Sequence, residues 1–549
     1  MASFTGTSTL DVLWNDVSSS PNKYLTLLAL SALVFFVRWA ATPNVDSREP
    51  PLIKPAIPGV GHIINLLMRQ VDFYPYVFHV LTSKAYSREK KHLAMTIPLA
   101  DKKMYLLKSP RLIQAAMRSK SLSFEPFLLE YSQNLLGMTD DEFAPVPKSV
   151  PDLIQAVHSS MASKHLHAMN ATALNYIADE INAIGSFSLP SLDVNNAWIW
   201  IRTLITKATT NAMFGHRNPF HFNPSLVDDL WAFDNGTFFL GTNLFPRIFR
   251  PRSVAARARL QAALQKYYAA RLDEGPDVSQ IMRARAAVLR AHGVPNSSVG
   301  RFEIPMVQVG IVNTMPIMFW FFARVVSRPE VLARARTELL PLVEESLAPA
   351  PDSSNSMRQA TVNISVLGDR APFLVSCFRE TNRLYNHAVI VRRVMADTQL
   401  SDDDENSTTY LLKKGTDVHM PANVVHRLPE AWGPDADEFQ PERFLGGGAT
   451  GTEADRMRKA ATIPFGGGLH LCPGRNFAFA ENMGLMAALV VGYDVRGLGD
   501  GPGLAPVPRA ATVGLGHAIA TPMGGGVGLR VSITRRQGWE DVEWRFTSS

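Results

Sequence analysis

A mainly helical fold with a small β region, entered from a single N-terminal transmembrane helix, is what this sequence predicts. Three observations lead there. Apolar residues recur at helical spacing through most of the chain beyond residue 150. Near the N-terminus an uncharged apolar run is closed by Arg38-Trp39 and followed by a stretch holding four prolines. Toward the C-terminus a glycine-rich loop carries one of two cysteines and leads into a helical run, Asn476 to Val491.

Composition narrows the function. With 549 residues, 46% apolar and 19% charged, the chain can bury a large core. Its net charge of +6 is too thin for a nucleic-acid stripe and fits mild attraction to an anionic membrane or an acidic partner. Two cysteines, Cys377 and Cys472, argue against a disulfide-built secreted domain and for a reducing compartment. No repeat of 20–50 residues is present.

Residues 1–22 are rich in Ser and Thr, carry Asp11 and Asp16, and hold no basic residue. Tyr24 to Val37 then runs apolar from Lys23 to Arg38. As a helix it covers ~21 Å, short of the ~30 Å hydrocarbon slab. Extension to Ala41, with Arg38 snorkelling and Trp39 at the interface, brings 23–41 close to spanning. A cleaved signal peptide and a buried helix are the alternatives. Against cleavage, no basic residue precedes Lys23 and no small-x-small site clearly follows. Arg38, Arg48 and Lys54 collect after the run, so an uncleaved anchor would leave 1–22 lumenal and the body cytosolic. The prolines of 42–62 make a stiff hinge, and 63–549 forms the globular domain.

Within that domain Leu93 to Leu107 alternates like a strand pair, and helices are expected at roughly 150–185, 193–215, 253–272 and 277–292. Leu244 to Ser253 mixes apolar and basic residues; it reads either as a surface that dips into anionic lipid or as a basic loop. Phe302 to Arg324 is a long apolar helix with Pro316 inside it. A proline there frees the carbonyl four residues back, at Val312, and bends the axis beside Gly310, Asn313 and Thr314. That is either a polar groove or a structural helix whose Asn and Thr are satisfied locally. Glu380 and Arg383, three apart on an amphipathic helix, share a face and can pair, while Cys377 on the same helix reads as core. A hairpin is expected from Arg392-Arg393 to Lys413–Pro421.

The stretch Pro464 to Arg475 carries the most chemistry. Its glycines let backbone pass close to a flat ligand. Loop N–H groups and the following helix start favour thiolate at Cys472, which suits the axial ligand of a haem iron. A lone cysteine is otherwise a small buried hydrophobe. The pattern Phe-x-x-Gly-x-His-x-Cys-x-Gly resembles the haem loop of the cytochrome P450 family. The resemblance implies haem b, with Cys472 on the iron and Phe465, Gly468, His470 and Gly474 binding the cofactor around it. The family commonly has arginine at the position of His470, reaching a propionate; a histidine donates a similar bond but is charged only near or below its pKa.

Further landmarks follow in the family's order. Glu380 and Arg383, with Arg443 from a Pro-Glu-Arg-Phe segment, are similar to the family's structural lock behind the haem. A propionate-binding arginine falls near the hairpin; Arg393 fits best by spacing and Arg392 is one residue off, with His387 to Ile390 bordering the substrate cavity. The family's tryptophan–arginine pair on an early helix has no match between Val150 and Ile181, where Lys164, His165 and His167 are the nearest basic candidates. The family pattern Ala/Gly-Gly-x-Asp/Glu-Thr-Thr, counted back from Ser327 to Glu330, puts Val312 where the acid stands. Catalysis would then rest on Asn313 and Thr314 ordering water at the Pro316 bend. This form looks more like the sterol 7α-hydroxylase and prostacyclin synthase branch and its fungal relatives, which holds both oxygenases and peroxide-rearranging enzymes.

The resemblance spans roughly 45–535 and implies a microsomal cytochrome P450 fold anchored once in the endoplasmic reticulum membrane. Its expected chemistry is monooxygenation of a hydrophobic terpenoid, sterol or polyketide in secondary-metabolite biosynthesis. Electrons would come from NADPH through NADPH–cytochrome P450 reductase, docked on a basic face. Two alternatives remain. One is a haem-thiolate isomerase or dehydratase needing no reductase; the other is a non-catalytic haem sensor, which needs neither the bent helix nor an anchor.

Overall fold

Alternating side chains build the first sheet where the sequence places it. Strand β1 (Ala94–Leu99) pairs antiparallel with β2 (Lys102–Leu107), Ala94 opposite Leu107. Two later strands extend the sheet. β3 (Val389–Val394) and β4 (Asp417–Pro421) pair antiparallel with each other, and β4 runs parallel to β2. The computed structural model describes residues 45–549 except 55–59, 82–92, 100–101, 350–356, 403–407, 447–451, 499–506, 527 and 549, and near the N-terminus residues 25, 26, 28–33 and 36.

Helices make up the rest. In chain order those that matter here are α1 (Pro110–Arg118), α2 (Glu125–Leu136), α3 (Val146–Ser160), α4 (Ser163–Asn182), α5 (Ala197–Phe214), α6 (Ser225–Asp234), α7 (Pro251–Ala269), α8 (Gln280–Ala291), α9 (Asn296–Ile311), α10 (Thr314–Val326), α11 (Pro372–Tyr385) and α12 (Arg475–Gly492). The single helix expected over 150–185 is two, broken at Met161-Ala162. The long apolar helix begins six residues earlier than periodicity suggested and is interrupted at Val312-Asn313, four and three residues before Pro316, where the proline removes the ladder bond. α4, α5, α10 and α12 pack into the central bundle. α10 is pinned where Trp320 stacks on Tyr385 of α11 at 4.0 Å and donates from Nε1 to the Ala520 carbonyl.

The expected lumenal tail, 1–22, lies outside the described residues. Within 23–41 the described residues are helical, and Leu25, Leu28, Leu30, Leu33 and Phe36 are all exposed. Asn296–Val326 is also long and apolar enough to cross a membrane, yet 72% of its apolar window is buried in the globule, as expected of core helices. The proline hinge is only partly a free connector. Glu49 is buried against Lys103 and Tyr105, and Ile53 and Thr96 exchange backbone bonds with the hinge and β1, so 46–53 dock onto the sheet.

Behind the sheet the expected lock is assembled. Arg383 makes a two-pronged pair with Glu380 (Nε–Oε2 2.7 Å, Nη2–Oε1 2.8 Å), and Arg443 Nε reaches Glu380 Oε1 at 3.0 Å. All three side chains are at most 7% exposed. Arg383 also donates to the carbonyls of His426, Ala436 and Glu438, so each guanidinium N–H group finds an acceptor. Cys377 is buried on the same helix, its thiol pushed up to about 12 by desolvation, and it is core as expected.

Breaking this network by removing one partner leaves an uncompensated buried charge. Arg383→Met is therefore expected to cost about 3–5 kcal/mol. In the exposed Arg334–Glu442 pair, Arg334→Ala should cost less than about 1 kcal/mol. Denaturant unfolding of the two variants beside the parent checks both.

Candidate active site

The site is an internal cavity of about 630 Å³ with Cys472 on its floor. The loop that carries the cysteine is held from three sides. Cys472 N donates to the Phe465 carbonyl at 3.0 Å, Asn386 Nδ2 donates to the Pro464 carbonyl at 2.8 Å, and Ile463 N donates to His426 Nε2 at 3.2 Å. His426 can accept because burial, aided by Arg383, depresses its pKa to about 3 and keeps the imidazole neutral.

Phe465, Gly466, His470, Gly474, Phe477 and Ala478 surround the sulfur and line the cavity. Gly468 does not. It sits on the outer side of the loop at φ +61°, where a Cβ would fall 2.0 Å from the Met117 carbonyl oxygen. Its absent side chain lets the loop press against α1, so it shapes the loop and is not a wall of the cavity. The backbone N–H groups of Gly474 and Arg475 act on the sulfur and pull its pKa down, but burial outweighs them and the thiol is pushed up overall. A metal ion at this sulfur would deprotonate it.

The two candidate arginines part company for a reason of parity. β3 pairs Arg392 with Val418 and Arg393 with Asp417 of β4, and consecutive strand residues point to opposite faces. Arg393, favoured by spacing, bonds Asp417 at 2.7 Å and Glu130 on the outside. Arg392 is 3% exposed, lies 5.8 Å from the Phe124 ring, and among the described residues meets no carboxylate and finds no partner for Nε. Desolvation alone depresses its pKa to about 10. His470 lies against the same Phe124 ring, 6.3 Å between centroids, and burial with Arg392 beside it lowers its pKa, so at neutral pH it donates as a neutral imidazole.

Among the early-helix bases, Lys164, His165 and His167 do not line the cavity; His167 meets Ser548. His158 on α3 does line it, near His470. No local pattern marks it, since it is a single basic residue between Val157 and Ser159. Of His387 to Ile390 only Ala388 reaches the wall.

The opposite wall is the α9–α10 break. Val309, Gly310, Asn313, Thr314 and Ile317 face the cavity. At Gly310 the Met213 methyl of α5 packs 2.6 Å from where a Cβ would stand. Behind the same wall is a group that sequence reading missed. Glu481 on α12 is fully buried, accepts from Thr209 Oγ1 at 2.7 Å and, among the described residues, has no partner for Oε2. Burial pushes its carboxyl up to about 8.

A buried cation beside Phe124 and His470, two histidines and a thiol lining the cavity, and apolar walls fit a flat apolar macrocycle bearing carboxylates, which is haem. Comparison with known proteins agrees. The family model described as Cytochrome P450 matches residues 306–501. A cytochrome P450 monooxygenase of Gibberella zeae is 35% identical over 95% of both chains. The cytochrome P450 monooxygenase nodJ of Hypoxylon pulicicidum is 26% identical over 94% of this chain and 96% of its own. A 25-hydroxycholesterol 7-alpha-hydroxylase of Rattus norvegicus is 22% identical over 71% of this chain and 90% of its own.

A carboxyl raised from about 4.5 to about 8 on folding binds its proton more tightly in the native state. It therefore subtracts stability as pH rises between those values, by up to about 1.4 kcal/mol per pH unit. Glu481→Gln should unfold at a higher temperature than the parent at pH 8, with the gap closing toward pH 5; thermal unfolding across that range tests it.

Proposed function

The chain belongs to the cytochrome P450 family and is a monooxygenase, and from that premise we propose that it oxidises a hydrophobic terpenoid, sterol or polyketide in secondary-metabolite biosynthesis. The observation that carries the substrate class is the apolar cavity above Cys472, where Val309, 55% exposed, lines the wall with Ile317, Phe302 and Met306. A fully apolar side chain gains by being covered, and a hydrophobic ligand covers it.

In this reading Cys472 would be the iron's thiolate ligand, and Arg392, His470 and His158 would hold the haem carboxylates. Phe465, Gly466 and Gly474 leave room for the ring. Haem iron, when bound, supplies dioxygen activation, with electrons drawn from NADPH through NADPH–cytochrome P450 reductase. The protein's part is to manage water and protons. Val312 brings no acid, so Asn313 and Thr314 hold a water at the gap opened by Pro316, next to the freed Val312 carbonyl. Val309 and Ile317 exclude bulk water from the same spot. Reductase-free rearrangement has no observation of its own to favour it, and the full-length relatives are named as monooxygenases.

A single-pass anchor in the endoplasmic reticulum membrane, with 1–22 lumenal and the globule cytosolic, is supported by the exposed leucines of the N-terminal helix. Phe245, Ile248 and Phe249, exposed among Arg247, Arg250 and Arg252, form a second surface suited to anionic lipid.

The decisive measurement is the reduced, carbon monoxide-bound spectrum of the membrane fraction, parent beside Cys472→Ala. The parent should give the Soret band of thiolate-ligated haem and the variant should lose it. Absence of that band in folded parent protein would sink the assignment. Arg392→Met should retain haem several-fold less well through gel filtration, and Arg393→Met should match the parent, because only the first lies beside the cavity-lining Phe124 and His470.

A further inference from the structure

Away from the cysteine the cavity continues between α3, α8 and α9, along Val150, Leu153, Ile281, Leu289 and Phe302. Into this apolar reach projects one ion pair that no haem contact uses. Arg285 lines the cavity from α8, its side chain 13% exposed, and meets Glu303 of α9, which is fully buried. The bond pattern is lopsided. Arg285 Nε alone serves both carboxylate oxygens, at 3.2 and 3.0 Å. Among the described residues Nη1 and Nη2 of Arg285 have no partner, so four of the five guanidinium N–H groups are uncommitted.

Two physical constraints decide what these donors take. Donors in an apolar cavity cost free energy unless an acceptor arrives with the ligand. Charge is already balanced, one carboxylate to one guanidinium, and the neighbouring Arg290–Asp273 pair is balanced as well. A second carboxylate would put an unmatched negative charge into a poorly solvated space, whereas a carbonyl or hydroxyl oxygen satisfies the donors without adding charge.

We propose that Arg285 anchors a neutral oxygen already present on the substrate, so that the enzyme acts on a pre-oxygenated hydrophobic molecule and not on a bare hydrocarbon. The anchor sets which carbon of the skeleton is presented at the Cys472 end. The reaction that supplies such a substrate must leave a ketone, aldehyde or alcohol behind, by an earlier oxygenation or by a cyclisation ended by water. This inference rests on the hydrophobic-substrate reading of the cavity.

The test is equilibrium dialysis of the haem-loaded, full-length protein in detergent against matched probes. A tricyclic diterpene and a steroid are each offered with methyl, hydroxymethyl or carboxylate at the same carbon. The parent should bind at least one hydroxymethyl probe about 10-fold or more tighter than its methyl partner. In the Arg285→Met/Glu303→Leu double variant, which removes both charges together, that preference should shrink to within about twofold. Arg285→Lys keeps the ion pair but loses the fork, and should lose several-fold of the preference; it decides the matter if the double variant does not fold. Equal binding of methyl and hydroxymethyl probes by the parent, or an undiminished preference in the variants, overturns the anchor. Tightest binding of a carboxylate overturns the neutral-oxygen assignment. If the parent binds no probe on either skeleton, the hydrophobic-substrate reading falls and the anchor falls with it.

Discussion

The arrangement of the site depends on one buried guanidinium. Arg383 cannot sit at 1% exposure unless every N–H finds an acceptor, and it finds them on three separate stretches of chain: Glu380, the His426 carbonyl, and the carbonyls of Ala436 and Glu438. His426 then passes the constraint on, because its neutral ring accepts from Ile463 N at the threshold of the cysteine loop. An ion pair with no chemical role thus fixes the height and tilt of the loop that has one. Its desolvation cost is large and its net stabilisation modest, which fits a part whose value is position.

The loop is squeezed from its other side by α1. Gly467 and Gly468 admit Met117 at distances that leave no space for a Cβ, so the backbone is trapped between the arginine network and a helix. The cavity wall opposite carries the break between α9 and α10, and both sides of it are held: Glu303 and Gln308 of α9 bond Arg285, Asp234 and Thr237, while Trp320 of α10 stacks on Tyr385. The protein therefore holds the sulfur fixed and places its bend where a substrate and a water must fit.

Much of this was legible in the sequence, and the rest was hidden for identifiable reasons. Spacing found the cysteine loop and the Glu380–Arg383 pair because both depend on local geometry. Periodicity found α5, α8 and α12 to within a few residues, but ran through Met161-Ala162 because apolar spacing carries on across that break. It did not resolve α2 or α6. The choice between Arg392 and Arg393 requires a strand register, which no local pattern encodes. Glu481, Arg285 and His158 are single polar residues on apolar helix faces, and their meaning comes only from what packs against them. That Gly468 packs against α1 was not legible either, because a glycine that admits a ligand and one that admits a helix read alike.

The parity of β3 bears on how such a chain can change over time. Alternation means that inserting or deleting a single residue between Val389 and Arg392 would exchange the inward and outward arginines, stranding a cation on the surface and driving the Asp417 partner toward the cavity. The neighbouring hairpin, Thr398–Ser401 with Thr409–Leu412, lies beyond the last cavity-facing position and can lengthen without that effect. Length variation among descendants of this sequence is thereby channelled to the hairpin tip, while the six residues of β3 are held to a fixed count.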